Sequence, residues 1–190
     1  MKKVFVGGSR NVKCLSPEVQ QGLDRIIEKS SPVLIGDANG VDKAIQKYFK
    51  ERNYNNVEVF CMEGICRNNI GPWATRSIPA LDSKKDFSYY TTKDRVMAEE
   101  ASAGFMIWDG KSIGTLTNVF RLISQDKKVI VYTVPSKKFS VLKNKTDWDG
   151  FFSLSGKELR DTVEKGENIE LQKYRKPSRR DLFFENMLPA

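Results

Sequence analysis

Residues 105–118 read FMIWDGKSIGTLTN: an apolar run that stops at Asp109-Gly110, turns on small residues, and continues into the amphipathic segment Leu116 to Ile123. This succession of strand, glycine turn and helix constrains the fold more than any other stretch. In an open α/β sheet the ligand crevice lies outside the carboxyl ends of the strands, so a strand ending on an acid and a glycine marks its position. Gly110 and Gly114 permit positive φ or close approach to a guest, and Ser112 and Thr115 can cap the helix or offer hydroxyl bonds. A helix N-terminus presents unpaired N–H groups and partial positive charge, which suits a phosphate or carboxylate, and Lys111 adds charge. The same residues also fit a plain strand-turn-helix joint with no ligand.

The pattern recurs along the chain. Lys3 to Val6 is a short strand running into Gly7-Gly8-Ser9-Arg10, a turn that lacks the GxGxxG dinucleotide fingerprint. Arg10 can hold a phosphate or carboxylate as a bidentate fork, or form a surface ion pair. Ser16-Pro17-Glu18 opens a helix with Ser16 as N-cap and an apolar stripe of Val19, Leu23, Ile26 and Ile27. Val33 to Ile35 is the second strand. Gly36-Asp37-Ala38-Asn39-Gly40-Val41-Asp42 then leads to a helix with Val41, Ala44, Ile45, Tyr48 and Phe49 on one side. Asp42 complements that helix dipole or accepts bonds from a ribose.

Val57 to Met62 is a third strand. Glu63 to Ser88 reads as a long irregular connection able to close over the crevice, with Arg67-Asn68-Asn69 inside it. Trp73, Tyr89 and Tyr90 are stacking or packing aromatics. A helix from Thr91 or Thr92 to Ala103 leads to the central strand, and Val129 to Val134 is a further buried strand. The expected fold is therefore a Rossmann-like, doubly wound, mostly parallel sheet of order 3-2-1-4-5 over residues 1–135. Residues 136–190 are expected to be a short C-terminal extension. It holds a basic patch (Arg175, Lys176, Arg179, Arg180) and a greasy one (Leu182, Phe183, Phe184, Met187, Leu188); the greasy one needs burial on the domain or on a partner subunit, and a flexible phosphate-binding tail is the competing reading.

Composition excludes several chemistries. The chain of 190 residues has no histidine, which removes the commonest general base and every histidine-dependent triad. Cys14, Cys61 and Cys66 do not suggest a secreted disulfide framework, and without histidine a zinc site is not expected; neither metal nor cofactor is anticipated. No apolar run approaches the roughly 20 residues that span a bilayer, so the expectation is a cytoplasmic protein with no membrane partner. A formal charge of +8 favours polyanions, as nucleotide phosphates or as a nucleic-acid backbone.

Five motifs in order, Gly7-Gly8-Ser9-Arg10, Gly36 to Asp42, Arg67-Asn68, Lys93-Asp94-Arg95-Val96-Met97 and Trp108 to Thr115, resemble the SLOG superfamily and, more narrowly, its small YspA-like branch. The resemblance covers roughly Met1 to Thr133. The superfamily is Rossmann-like. It includes the DNA-processing protein A family, which binds single-stranded DNA, the Lonely Guy phosphoribohydrolases, which cleave the N-glycosidic bond of nucleoside monophosphates, and nucleotide-signal sensors.

The resemblance places ligand contacts at Gly8, Ser9 and Arg10 in the first turn, and at Gly36, Asp37, Gly40, Val41 and Asp42 in the second. Arg67, Asn68 and Arg95 follow, and then Asp109, Gly110, Lys111, Ser112, Gly114, Thr115 and Asn118. In the glycosidase members a glutamate follows the Gly-Thr of the last motif by three residues, whereas Asn118 stands there in this chain. An amide orients a hydroxyl but is neither a carboxylate base nor a nucleophile. Asp109, Asp42 and Asp94 are the candidates to replace it. The primary expectation is binding of a nucleotide or nucleotide-derived phosphorylated ligand, as a sensor or sequestering protein, in a homo-oligomer. An N-glycosidase acting on nucleoside monophosphates is the alternative, and single-stranded nucleic-acid binding a further one.

Overall fold

Alternation along the first strand sets the two faces of the molecule. Phe5 points to one core and Val6 to the other, both essentially inaccessible to solvent. The computed structural model describes residues 2–80 and 87–164. Seven strands form one sheet: β1 (Val4–Gly8), β2 (Val33–Gly36), β3 (Val57–Met62), β4 (Ala74–Ile78), β5 (Ala103–Trp108), β6 (Lys128–Thr133) and β7 (Lys138–Leu142). The helices are α1 (Pro17–Glu28), α2 (Val41–Glu51), α3 (Phe87–Glu100), α4 (Ile113–Ile123), α5 (Lys145–Ser153) and α6 (Lys157–Glu164).

α1 and α2 bury Val19, Leu23, Val41, Ile45 and Phe49 against Val6, Ile35, Val59 and Ile107. On the other face α3, α4 and α5 place Met97, Leu116, Phe120 and Trp148 against Phe5, Leu34, Phe60 and Met106. Each such apolar side chain withdrawn from water contributes about 1.5–3 kcal/mol, which holds helices to both faces. α4 is buried all round, from Thr115 to Ile123, because α3 and α5 flank it over the centre of the sheet.

The strand order is β4-β3-β2-β1-β5-β6-β7, which differs from the expected 3-2-1-4-5. The five strands read from the sequence keep their relative sequence, and an edge strand is added on each side. β4 pairs parallel with β3, inside the stretch read as irregular. Its burial runs exposed, exposed, half-buried, exposed, buried, so no hydrophobic pattern announces it. β7 pairs antiparallel with β6, so the sheet continues past residue 135 into the segment assigned to the extension. Lysines at its start and the half-exposed Phe139 and Val141 mark it as an edge.

Other boundaries also move. α3 begins at Phe87, so Tyr89 and Tyr90 are helical rather than loop residues. Ser16 precedes α1 but caps nothing with its side chain, because its hydroxyl bonds the Tyr132 hydroxyl instead, at 3.0 Å. Trp73 is a buried anchor that donates to the Tyr54 carbonyl at 2.9 Å, which removes it as a stacking platform. The basic and greasy patches of Tyr174 to Ala190 lie outside the described residues.

Candidate functional site

Parallel strands bring their carboxyl ends to one edge, and here that edge opens into a cleft of about 420 Å³. The volume falls in the range of small-molecule sites. Gly7, Gly8, Arg10 and Asn11 come from the β1 turn, and Ala38 and Asp42 from the start of α2. Arg67 enters from the loop after β3. Tyr90, Thr91, Lys93, Asp94 and Met97 come from α3, and Lys111 to Thr115 with Asn118 from the β5 turn and α4.

Ser9 ties the three glycine turns together. Its N–H donates to the Ile107 carbonyl at 3.0 Å, and its carbonyl accepts the Val41 N–H at 3.2 Å. Its hydroxyl lies 3.0 Å from Asp109 Oδ1 and 3.2 Å from Thr115 Oγ1. Such closeness requires glycine at two positions. A Cβ on Gly8 would stand 2.1 Å from the Ile107 carbonyl oxygen, and one on Gly40, at φ +86°, would stand 2.3 Å from that of Arg10. The turns at Ser9, Gly40 and Gly114 therefore share one rim.

Asp109 braces that rim and does not line the cleft. Its Oδ1 accepts the N–H groups of Lys111 at 3.0 Å and Ser112 at 2.8 Å as well as the Ser9 hydroxyl. Burial works to raise its pKa, but these bonds prevail and hold it below the usual carboxylate range. Ser112 caps α4 by accepting the Thr115 N–H at 3.3 Å. The N–H groups of Ile113 and Gly114, in the first turn, have no partner inside the helix, and both residues line the cleft together with Lys111 and Arg10. A helix N-terminus and two cations favour an anion at this lining, with the Asp109 carboxylate set behind it.

The floor is an ionic chain. Arg67 Nη2 donates to Asp37 Oδ1 at 2.7 Å, and its backbone N–H and Nε both donate to Oδ2. Lys93 Nζ lies 3.7 Å from Asp37 and donates to Asp94 Oδ1 at 2.9 Å. Asn118 donates to Asp94 Oδ2 at 3.2 Å and accepts from Arg121 at 2.7 Å. Burial works against charge on Lys93, yet Asp94, Asp42 and Asp37 outweigh it and keep the ammonium form. For Asp37 burial is likewise overcome, by Arg67 above all, and the carboxyl is held low. Asp42 goes the other way. Its burial raises its pKa to about 6, because Lys93 compensates only in part and Asp94 and Asp37 add repulsion.

The guanidinium carbons of Arg67 and Arg10 stand 4.7 and 5.7 Å from the centre of the Tyr90 ring. Tyr89 instead turns away and donates to Glu63 at 2.7 Å. Of the residues expected to touch a ligand, Gly8, Arg10, Asp42, Arg67, Lys111, Ser112, Gly114, Thr115 and Asn118 line the cleft. Ser9, Gly40, Val41, Asp109 and Gly110 form the framework behind it, and Asp37 is covered by Arg67 and Lys93. Gly36 packs against Asp42 and Lys93. Asn68 bonds the Asp37 carbonyl at 2.8 Å, and Arg95 stands outside the lining. Lys93 was missed as a site residue because a lysine within a charged helix reads as a solvated face, whereas here it is 3% exposed.

Cys61 and Cys66 are joined by a disulfide, their Cα atoms 4.9 Å apart, a local bridge not expected from the sequence. Among the described residues no cluster is arranged to hold a metal ion, and no helix is long and apolar enough to cross a membrane. No protein-family model and no curated protein matches the chain.

Proposed function

We propose that the cleft binds a nucleotide or a nucleotide-derived phosphorylated ligand, in keeping with the SLOG-like motifs. The observation that carries this reading is the joining, in one cleft, of a rim that favours an anion and a polar floor. A phosphate fits the rim, where the Ile113 and Gly114 N–H groups, Arg10 and Lys111 converge. Tyr90, with two guanidinium groups over it, offers an aromatic wall for a base. The less polar part of the ligand then lies toward Met97 and Ile113.

Isothermal calorimetry with mono-, di- and cyclic nucleotides tests the reading. At least one is expected to bind, and Arg10→Ala is expected to weaken it by about tenfold, the worth of a charge-assisted bond. Failure of every nucleotide to bind overturns the proposal.

A specific feature favours a second reading, N-glycosidic cleavage. Asp42 is a carboxyl in the cleft raised to about 6, as acid catalysts are. Against it stands Asn118 in place of a carboxylate. Release of free base from nucleoside monophosphates, abolished in Asp42→Asn, distinguishes an enzyme from a binding protein.

A further inference from the structure

Three carboxylates meet on the floor, and only one has an oxygen without a bond. Both oxygens of Asp37 are engaged by Arg67, and those of Asp94 by Lys93 and Asn118. Asp42 accepts the Ala38 N–H through Oδ2 at 3.2 Å, and among the described residues no hydrogen bond reaches its Oδ1. Asp42 is only 7% exposed, and the oxygen left without a protein partner is one that solvent reaches from the cleft. Oδ1 lies 3.3 Å from the point where a Cβ on Gly7 would stand, and both residues line the cleft. A glycine leaves the space in front of that oxygen open.

We propose that Asp42 Oδ1 reads a sugar hydroxyl, so that the cleft takes ribonucleotides in preference to 2′-deoxyribonucleotides. The inference rests on the nucleotide reading above and specifies its sugar. An acceptor that opens onto the cleft with no protein partner calls for a neutral donor, since a phosphate beside the carboxyl would be repelled. A bound ligand would cover it and exclude the water that serves it otherwise. Position argues for the sugar over the base. Asn118 follows Thr115 by one turn of α4, about 5 Å along the axis from the amides that receive phosphate. In a 5′-nucleotide the sugar occupies that step next to its phosphate. Asp42, from the start of α2, and Tyr90, from α3, line the same cleft as Asn118. A site that bonds a hydroxyl rejects the analogue without it, because the acceptor is then left buried and unpaired.

The test is calorimetry at pH 7 on the full chain, with the four ribonucleoside 5′-monophosphates and their 2′-deoxy counterparts. The ribo form of whichever base binds is expected to be tighter by about tenfold or more. Asp42→Ala, which removes the acceptor, should reduce that ratio below about threefold, as should Gly7→Ala, whose methyl would crowd Oδ1. Should Asp42→Ala fail to fold, the wild-type ratio and Gly7→Ala carry the same test. Equal affinity for ribo and deoxy forms overturns the inference and leaves nucleotide binding standing. An undiminished ratio in folded Asp42→Ala overturns the assignment to Asp42. No affinity for any monophosphate of either sugar removes the nucleotide reading itself.

Discussion

The rim and the floor of the cleft are built in opposite ways. At the rim, backbone donors at the start of α4 stand beside exposed Arg10 and Lys111. On the floor, Asp37, Lys93, Asp94 and Asn118 are already bonded to one another and to Arg67 and Arg121. Unspent donors are available to a guest, whereas spent ones hold the fold. Removing a floor group should therefore cost stability first, and removing a rim group should cost affinity first.

Lys93→Met gives the largest expected effect. It leaves Asp37, Asp42 and Asp94 around an apolar side chain, and breaking a buried ion pair from one side costs about 3–5 kcal/mol. Urea denaturation reads this directly. A loss below about 1 kcal/mol would mean that the floor is not structural, and the contrast with the rim would fail.

Gly8→Ala follows, at about 3 kcal/mol or roughly 10 °C in melting temperature, since its methyl meets the Ile107 carbonyl oxygen and β1 must part from β5. Unchanged melting would show that the turns are held together less tightly than their bonds through Ser9 imply.

The third prediction isolates Asp42. Its pKa moves from an ordinary 3.8 to about 6 on folding. Between those values the folded chain holds a proton that the unfolded chain has released. The stability tied to that proton is complete below about pH 3.8 and is lost as pH rises through about 6. Asp37, held low, and Lys93, held high, stay charged across this window. The stability of the wild type relative to Asp42→Asn should therefore fall by roughly 2 kcal/mol between pH 4 and pH 7. A difference independent of pH would show that Asp42 is better solvated than its burial indicates.

The contrast between the two ends also explains what could be read from the sequence. The rim is made by local grammar: a strand, a glycine, then a cap such as Ser112, each recognisable within about ten residues. The apolar alternation that defines β1, β2, β3, β5 and β6 is equally local. The floor is not. Lys93 meets Asp37 across more than fifty positions, and Arg67 reaches the same carboxylate from the loop after β3. Nothing in the neighbourhood of either cation states that it is paired. β4 and β7 escape for a related reason, because edge strands expose most of their side chains and carry no hydrophobic period.

Ser112→Ala gives the smallest effect and joins the two regions. The Ser112 hydroxyl accepts both the Thr115 N–H and the Thr115 hydroxyl, and losing an N-cap costs about 1 kcal/mol. That figure applies to the empty cleft. The variant releases the Thr115 N–H at the rim proposed to receive the phosphate, so a phosphate bound there would take over the capping. Thermal melts of wild type and variant should therefore differ by a few degrees without nucleotide, about 2–4 °C, and by less in its saturating presence. A difference that stays the same with nucleotide bound would mean that the ligand does not approach the amides of α4, and the assignment of the phosphate to the rim would have to be abandoned.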